Sequence, residues 1–142
     1  MDHVVYLDAK AKELDNLLSG EKNMVIRGAM GRKMPYGRVN SEDTLYFIEN
    51  KGDGLVKAKA GIRELIQSDK LTKEESVMLV ENNQVALKLN PAMFKRFAGK
   101  RYLILITVED VEPLDPFKID RSEYGNMDDW LPVGDINHVR LN

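Results

Sequence analysis

The sequence lacks cysteine and has little histidine, since its 142 residues include only His3 and His138, near opposite ends. Disulfide bonds and thiolate metal ligands are therefore excluded, and an imidazole-rich metal site is not expected. No apolar run approaches the ~18 residues of a membrane span, and the first residues lack the basic and apolar regions of a secretion signal. We expect a cytoplasmic protein with no metal, no cofactor and no membrane contact.

The short motifs of common enzyme classes are also missing. There is no P-loop, no G-x-S-x-G, no H-E-x-x-H and no dinucleotide-binding fingerprint. The residues themselves therefore favour binding over catalysis. With 43% hydrophobic residues the chain is long enough to bury a core, so we expect residues 1–142 to form one domain.

Charge is distributed unevenly along the chain, although the formal net charge is only -2. Residues 20–63 contain nine Lys or Arg against five Asp or Glu, whereas residues 109–142 contain three against nine. A local basic surface can attract polyanions even when the whole molecule is slightly acidic. On charge alone, both segments are equally well explained as solvated faces.

Residues 20–38 bring together a helix end, a strand and a basic loop, which spans residues 28–38. Gly20 is typical of the residue that ends a helix. Alternation predicts a short strand after it, with Met24 and Ile26 on one face and Arg27 on the other. Elsewhere, strands are predicted at 3–7, 44–48, 55–63 and 102–108, and helices at 9–19, 72–82 and 91–98. The second helix would begin with a Thr72-x-x-Glu75 capping box, and the third with an Asn90 cap.

The pattern Gly20-x-Lys22-x-x-x-x-Arg27 resembles the ASCH family of PUA-like domains, whose signature is G-x-K-x-x-E-x-R. It is followed by two strand patterns that fit the same family, Asp43-x-Leu45-x-Phe47 and Val56-x-Ala58-x-Ala60. The resemblance covers roughly residues 3–110. Val25 stands at the position of the signature glutamate, so that carboxylate's role in relatives is not filled from this position.

The resemblance implies an α+β fold, a PUA-like small mixed β-barrel of about five or six strands with two or three flanking helices. Its core would span about residues 3–110, and residues 111–142 would form a C-terminal extension packed on the domain. Prolines and glycines predict a mostly loop-like segment over residues 112–142, with a short strand at 138–141. Its aromatic residues are predicted to anchor it to the core: Phe117, Tyr124 and Trp130.

The resemblance also implies a cleft beside the signature strand, associated with RNA or nucleotide-like ligands and lined here by Lys22 and Arg27. From the residues themselves, we add phosphate contacts from the adjoining loop and a tyrosine for stacking on a base or ribose. Outward-facing lysines of the 55–63 strand extend the cationic face. The added residues are Arg32, Lys33, Arg38, Tyr36, Lys57 and Lys59. The expected partner is RNA or a nucleotide derivative, and a protein partner is unknown.

Other functions remain open. Some ASCH relatives are amidohydrolases that remove acyl groups from modified cytidine, and resemblance to them assigns Lys22 and either Glu74 or Glu75. The threonine of that pattern is Val25, which has no hydroxyl, so water activated by a glutamate would have to attack. Glu74 and Glu75 are better explained as helix-capping residues than as catalytic ones. Another ASCH branch is associated with RNA cleavage, which would need a pair of acid and base groups that we do not assign here. The third alternative is a protein-interaction module acting through the acidic tail.

Overall fold

A computed structural model describes residues 1–141 as a six-stranded mixed sheet with four helices. The strands are β1 (Asp2–Leu7), β2 (Met24–Ala29), β3 (Thr44–Glu49), β4 (Leu55–Gln67), β5 (Tyr102–Lys118) and β6 (Trp130–Gly134). The helices are α1 (Glu13–Ser19), α2 (Lys73–Asn82), α3 (Gln84–Leu87) and α4 (Pro91–Phe97), and a 3-10 turn spans Ile136–His138. The predicted α+β class and the strand number are confirmed.

The strand order across the sheet is β2-β5-β4-β3-β1-β6. Strands β1 and β3 run parallel, and every other neighbouring pair is antiparallel. The long β4–β5 ladder has three register shifts, and such bulges bend strands and increase their twist. The sheet consequently curls into a half-barrel, with β2 and β6 at its two edges.

Each face of β2 packs against a different hydrophobic cluster, as the alternation predicts. Val25 lies in the cluster inside the curled sheet, together with Phe47 and Trp130. Met24 and Ile26 face the opposite side and pack in the cluster formed with α2, α3 and α4. Arg27, next along the strand, therefore enters the inner side near Trp130.

The helix termini follow their sequence signals, with one correction. Thr72 and Glu75 form the predicted capping box at the start of α2, and Asn90 caps α4. Helix α1, however, begins at Glu13 rather than at residue 9. The Asp8 carboxylate accepts a hydrogen bond from Ala11 N at 2.9 Å and caps a separate turn, so the helix starts one turn later than predicted.

The prediction of a loop-like segment over residues 112–142 is wrong in two places. Strand β5 continues to Lys118, and β6 adds a strand beside β1. Pro113 and Pro116 are tolerated because β2 pairs with β5 only as far as Thr107, which leaves one edge of the later residues unpaired. The predicted final strand at 138–141 is also wrong: the chain there forms a 3-10 turn and a single bridge between Ile119 and Arg140.

Within residues 1–141, no helix combines the length and the apolar character needed to cross a membrane.

Candidate functional site

Arg27 is a buried cation held by the backbone of two strands. Its residue is 8% exposed, and its guanidinium donates from Nη1 to Ile26 O at 2.8 Å and from Nη2 to Tyr6 O at 2.6 Å. The Trp130 ring lies 5.7 Å from its Cζ. Buried Nε has no hydrogen-bond partner among residues 1–141, and the nearest carboxylate oxygen, Asp129 Oδ2, is 3.4 Å away. Arg27 is therefore fixed in position but keeps one unused donor.

A cleft of about 80 Å³ opens at the end of β2, and we call it the basic cleft. Its walls come from β2, the loop after β2, α4 and the start of β5. Its charged and aromatic lining residues are Arg27, Lys33, Arg96, Asp129, Tyr36, Phe97 and Tyr102. Three cations therefore face one carboxylate, so the local charge is positive although the chain is slightly acidic overall.

Tyr36 and Tyr102 form an aromatic wall of the basic cleft, which is held by contacts between residues that are distant in sequence. Tyr36 donates its hydroxyl to Ser68 O at 2.5 Å, and its ring meets Tyr102 edge-on with centroids 5.5 Å apart. Arg32 places its Cζ 5.5 Å from the Tyr102 ring centroid. Gly37 N donates to the side chain of Gln67 at 2.5 Å. The basic loop is therefore attached to the ends of β4 and β5.

A second cleft, of about 220 Å³, adjoins the basic cleft. The two share Arg27, Arg96, Phe97 and Asp129, and the second cleft continues towards α1, where Glu13 lines it. Arg27, Arg96 and Asp129 thus form the boundary between two connected depressions. A ligand with two moieties, such as a base and a phosphate, has room for one moiety on each side of this boundary.

Lys22 lies behind the second cleft in a buried ion pair. It is 2% exposed, its Nζ is 3.1 Å from Glu13 Oε2, and it donates to Leu87 O at 2.7 Å. Burial lowers the pKa of Lys22, Glu13 opposes this effect, and the nearby Arg27 guanidinium lowers the pKa further, so that the net pKa lies below the ordinary value. The structure therefore places Lys22 where it links α1 to α3 rather than on the cleft surface.

The lysines predicted to extend the cationic face lie elsewhere. Lys57 Nζ is 3.1 Å from Glu49 Oε1 and 3.0 Å from Asp53 Oδ2, and Lys59 Nζ is 3.2 Å from Glu112 Oε1. In the part of the chain that the structure describes, neither lines the basic cleft. Their charges are therefore balanced by carboxylates of the β3–β4 hairpin and of the neighbouring strand β5. Nucleic-acid binding by this pair stays a prediction.

Three of the predicted loop and strand residues meet in the basic cleft, namely Arg27, Lys33 and Tyr36. Arg32 contacts the cleft wall through Tyr102, and Arg38 is exposed on the same loop without lining the cleft.

The two glutamates of the hydrolase hypothesis lie on α2. Glu75 closes the capping box, since its Oε1 accepts from Thr72 N at 2.8 Å, and Glu74 is exposed. The carboxylate that contacts Lys22 is that of Glu13. Sequence reasoning missed Glu13, because a glutamate outside the apolar stripe of a helix ordinarily faces solvent.

Arg96 and Asp129 were also missed. Arg96 stands next to Lys95 in a basic segment typical of the solvated side of a helix. Nothing in the sequence connects Asp129 with a strand about one hundred residues earlier. A buried aromatic residue follows each of these positions, Phe97 after Arg96 and Trp130 after Asp129, and marks where the chain turns inward.

The comparison with solved structures supports the architecture that the resemblance implied. No family model and no curated protein matches the chain. The ASCH protein from Zymomonas mobilis superposes with a TM-score of 0.66 at 15% identity, covering 91% of this chain and 85% of that one. Crystal structures of its S-to-A and Y-to-F mutant proteins give TM-scores of 0.67, also at 15% identity and 91% coverage of this chain, and cover 85% and 87% of those chains. The chain therefore has the same fold as this ASCH protein.

Proposed function

We propose that this protein is an ASCH-type domain that binds RNA or a nucleotide derivative in the basic cleft. The observation that carries the proposal is the convergence of Arg27, Lys33 and Arg96 beside the aromatic wall of Tyr36 and Tyr102. Guanidinium groups suit bidentate contacts with phosphate, lysine supplies a point charge, and aromatic rings supply a face for a base or ribose. One cleft thus offers both kinds of contact.

The charge balance supports a cleft that binds an anion rather than a basic surface that is solvated and binds no ligand. The lining cations outnumber the lining carboxylate, and the unused Nε donor of Arg27 is buried. A buried donor without a partner costs about 1–3 kcal/mol, a cost that an anionic ligand removes. The family resemblance points to the same kind of ligand.

The test is a titration of labelled single-stranded RNA at several salt concentrations, followed by fluorescence anisotropy. The Lys33→Gln/Arg96→Gln variant removes two cleft charges, and Lys57→Gln/Lys59→Gln removes two hairpin charges as a matched control. We expect affinity to fall by about tenfold or more in the first variant and by less than about twofold in the second. Equal losses would mean that RNA responds to total charge and would refute binding in the cleft.

A second candidate is the amidohydrolase, and one observation favours it. The Lys22–Glu13 pair adjoins the second cleft, and burial lowers the pKa of Lys22, as is common for catalytic groups. Val25 is fully buried and supplies no nucleophile, so water would attack the acyl group. Release of the acyl group from acylated cytidine, lost in a folded Glu13→Gln variant, would support this function. No turnover by the unchanged protein would reject it.

A further inference from the structure

We infer that the boundary between the two clefts is a site for a phosphate monoester, and that Asp129 occupies this site in the free protein as an internal competing anion. The inference rests on the proposed function for the nucleotide class of the ligand. It adds the chemical group that is recognised, the position of that group and the residue that opposes its binding.

Arg27 supplies the fixed side of the site. Two of its nitrogens are committed to the carbonyl oxygens of Ile26 and Tyr6, which hold the guanidinium in one orientation. The side chain is 9% exposed, and buried Nε finds no hydrogen-bond acceptor within residues 1–141. A buried donor held in place without an acceptor is a position where an additional oxygen is favourable.

Asp129 balances charge at this position without completing the hydrogen bonds. Its Oδ2 lies 3.4 Å from Arg27 Nε and 3.9 Å from Arg96 Nη2. Both distances exceed the roughly 2.7–2.9 Å that is typical of charge-assisted N–H···O hydrogen bonds. The carboxylate therefore lies between two guanidinium groups, and a ligand oxygen that came closer would form stronger hydrogen bonds than Asp129 does.

The carboxylate is able to leave while its backbone stays. The Asp129 side chain is 42% exposed, so it can rotate into water. Its carbonyl oxygen accepts a hydrogen bond from Tyr6 N at 3.0 Å, and the next residue, Trp130, is buried and donates to His3 at 3.0 Å. Displacement of the carboxylate therefore does not require β6 to detach.

The charge of the competing group selects a monoester over a diester. Asp129 carries one negative charge, as does an internal phosphodiester, so a diester gains little by replacing it. A terminal phosphate carries about -1.5 to -2 and has three acceptor oxygens, which suit the donors of Arg27, Arg96 and Lys33. The site should therefore prefer a nucleotide with a terminal phosphate over a nucleoside or an internal phosphate of a strand.

The exposed partner is Arg96. Its side chain is 60% exposed on α4 and touches Asp129 only at 3.9 Å, while its Cζ lies 5.2 Å from the Phe97 ring. It is free to close on a phosphoryl oxygen that Arg27 already holds. Arg27 thus fixes the position of the group, and Arg96 responds to its charge.

The experiment is isothermal titration of the full chain with adenosine and cytidine 5′-monophosphates, the two nucleosides, and the matching dinucleotides without a terminal phosphate. Three proteins are compared: the unchanged protein, the Asp129→Asn variant and the Asp128→Asn variant. Asp128 is the matched control because it is adjacent, carries the same charge and bonds to Gly125 N instead of lining either cleft.

We expect Asp129→Asn to raise affinity for a monophosphate by roughly tenfold, with a smaller gain for the dinucleotide, because removal of one opposing charge favours the more highly charged ligand. Asp128→Asn should change affinity by less than about twofold. Adding Arg96→Gln to Asp129→Asn should abolish the gain. Inorganic phosphate should also shift the Arg27 Nε–H signal in NMR spectra of the unchanged protein. That signal is assigned by its absence from the spectrum of the Arg27→Lys variant.

Unchanged or weaker monophosphate binding by folded Asp129→Asn would overturn the inference, as would equal gains in both Asp variants. Failure of every mononucleotide and of inorganic phosphate to bind any of the proteins would overturn it too. These outcomes are separate from those of the proposed function. RNA binding that depends on Lys33 but ignores Asp129 leaves the cleft proposal standing, whereas a monophosphate effect without RNA binding rejects the polymer and retains the site.

Discussion

The basic cleft and the β3–β4 hairpin contain similar numbers of cations but differ in what surrounds those cations. In the hairpin, Lys57 lies between two carboxylates and Lys59 contacts a third. In the cleft, Arg27, Lys33 and Arg96 line one depression with a single carboxylate, that of Asp129, which lies within 4 Å of the two arginines. The comparison teaches that the presence or absence of a nearby counter-ion, rather than a count of lysines and arginines, distinguishes a candidate binding surface from a solvated one.

The difference has a local cause in the hairpin and a distant one in the cleft. Glu49 and Asp53 lie within eight residues of Lys57 and reach it across one turn. The cleft takes its cations from β2, the following loop and α4, and these elements bring few carboxylates with them. Predictions that change one partner at a time can therefore test whether pairing separates the two regions.

The largest expected effect concerns the buried ion pair behind the cleft. Lys22→Met removes the partner of Glu13, which is 3% exposed, and leaves its carboxylate buried without a cation. We expect the free energy of unfolding to fall by about 3–5 kcal/mol, measured by urea denaturation. The matched surface change, Lys59→Met, should cost less than about 1 kcal/mol.

The double variant Lys22→Met/Glu13→Leu separates the two possible causes of that loss. If the cost comes from the stranded carboxylate, removing both charges should restore a large part of the stability. If the double variant is as unstable as the single one, packing and the bond to Leu87 O are responsible instead, and the distinction between buried and exposed pairs loses its electrostatic basis.

The next effect concerns Asp43, a buried carboxylate with several hydrogen-bond donors around it. It contrasts with the cleft, where the buried Nε donor of Arg27 has no acceptor among the described residues. Asp43 accepts hydrogen bonds from His3 Nε2 at 2.7 Å and Asn40 N at 2.9 Å, and the terminal ammonium lies at 3.3 Å. Burial raises the pKa of Asp43, but these contacts outweigh burial and hold the pKa below its ordinary value of 3.8. Asp43→Asn should therefore cost about 1.5–3 kcal/mol near neutral pH.

The pH dependence of that loss follows from the direction of the shift. Because the folded pKa is depressed, the stabilisation is complete above the unfolded value of 3.8 and disappears as the pH falls through the folded value. Denaturation of the unchanged protein and of Asp43→Asn should give a difference that is constant above about pH 5 and shrinks below about pH 4. A difference that is independent of pH would assign the loss to packing.

Local signals predicted much of the fold. The capping box at Thr72 and Glu75, the Asn90 cap and the alternation in β2 and β4 each depend on residues a few positions apart, and all are confirmed. The path of the chain after Glu112 was mispredicted because prolines were treated as breaks, although one edge of β5 there needs no hydrogen bonds. Sequence patterns do not show which strand edge is free.

The candidate site was predicted in part, for a similar reason. Arg27, Lys33 and Tyr36 lie within ten residues of each other and were proposed together, whereas Arg96 and Asp129 reach the cleft only through tertiary packing. Lys22 was placed at the cleft because the resemblance gave it a position in a signature but no counter-ion. Glu13 supplies that counter-ion from the preceding helix.

A smaller effect is the change in salt dependence that accompanies the loss of cleft charges. For single-stranded nucleic acid, each neutralised phosphate contributes about 0.7 to the slope of log affinity against log salt concentration. Lys33→Gln/Arg96→Gln should therefore reduce the slope by about 1.4 if both side chains contact phosphates. Anisotropy titrations at several salt concentrations measure it, and a slope that is unchanged despite weaker binding would point to loss of cleft shape instead.

The smallest effect is expected at the hairpin. The hydrogen bond with Asp53 raises the pKa of Lys57 most, desolvation opposes it, and Glu49 raises it further. The side chain is nevertheless 21% exposed, so solvent weakens the pair, and Lys57→Met should cost about 0.2–1 kcal/mol, less at high salt. Urea denaturation at low and high salt measures this cost. A loss comparable to that of Lys22→Met would show that exposed, paired cations carry as much energy as buried ones, and the contrast between hairpin and cleft would then rest on ligand binding alone.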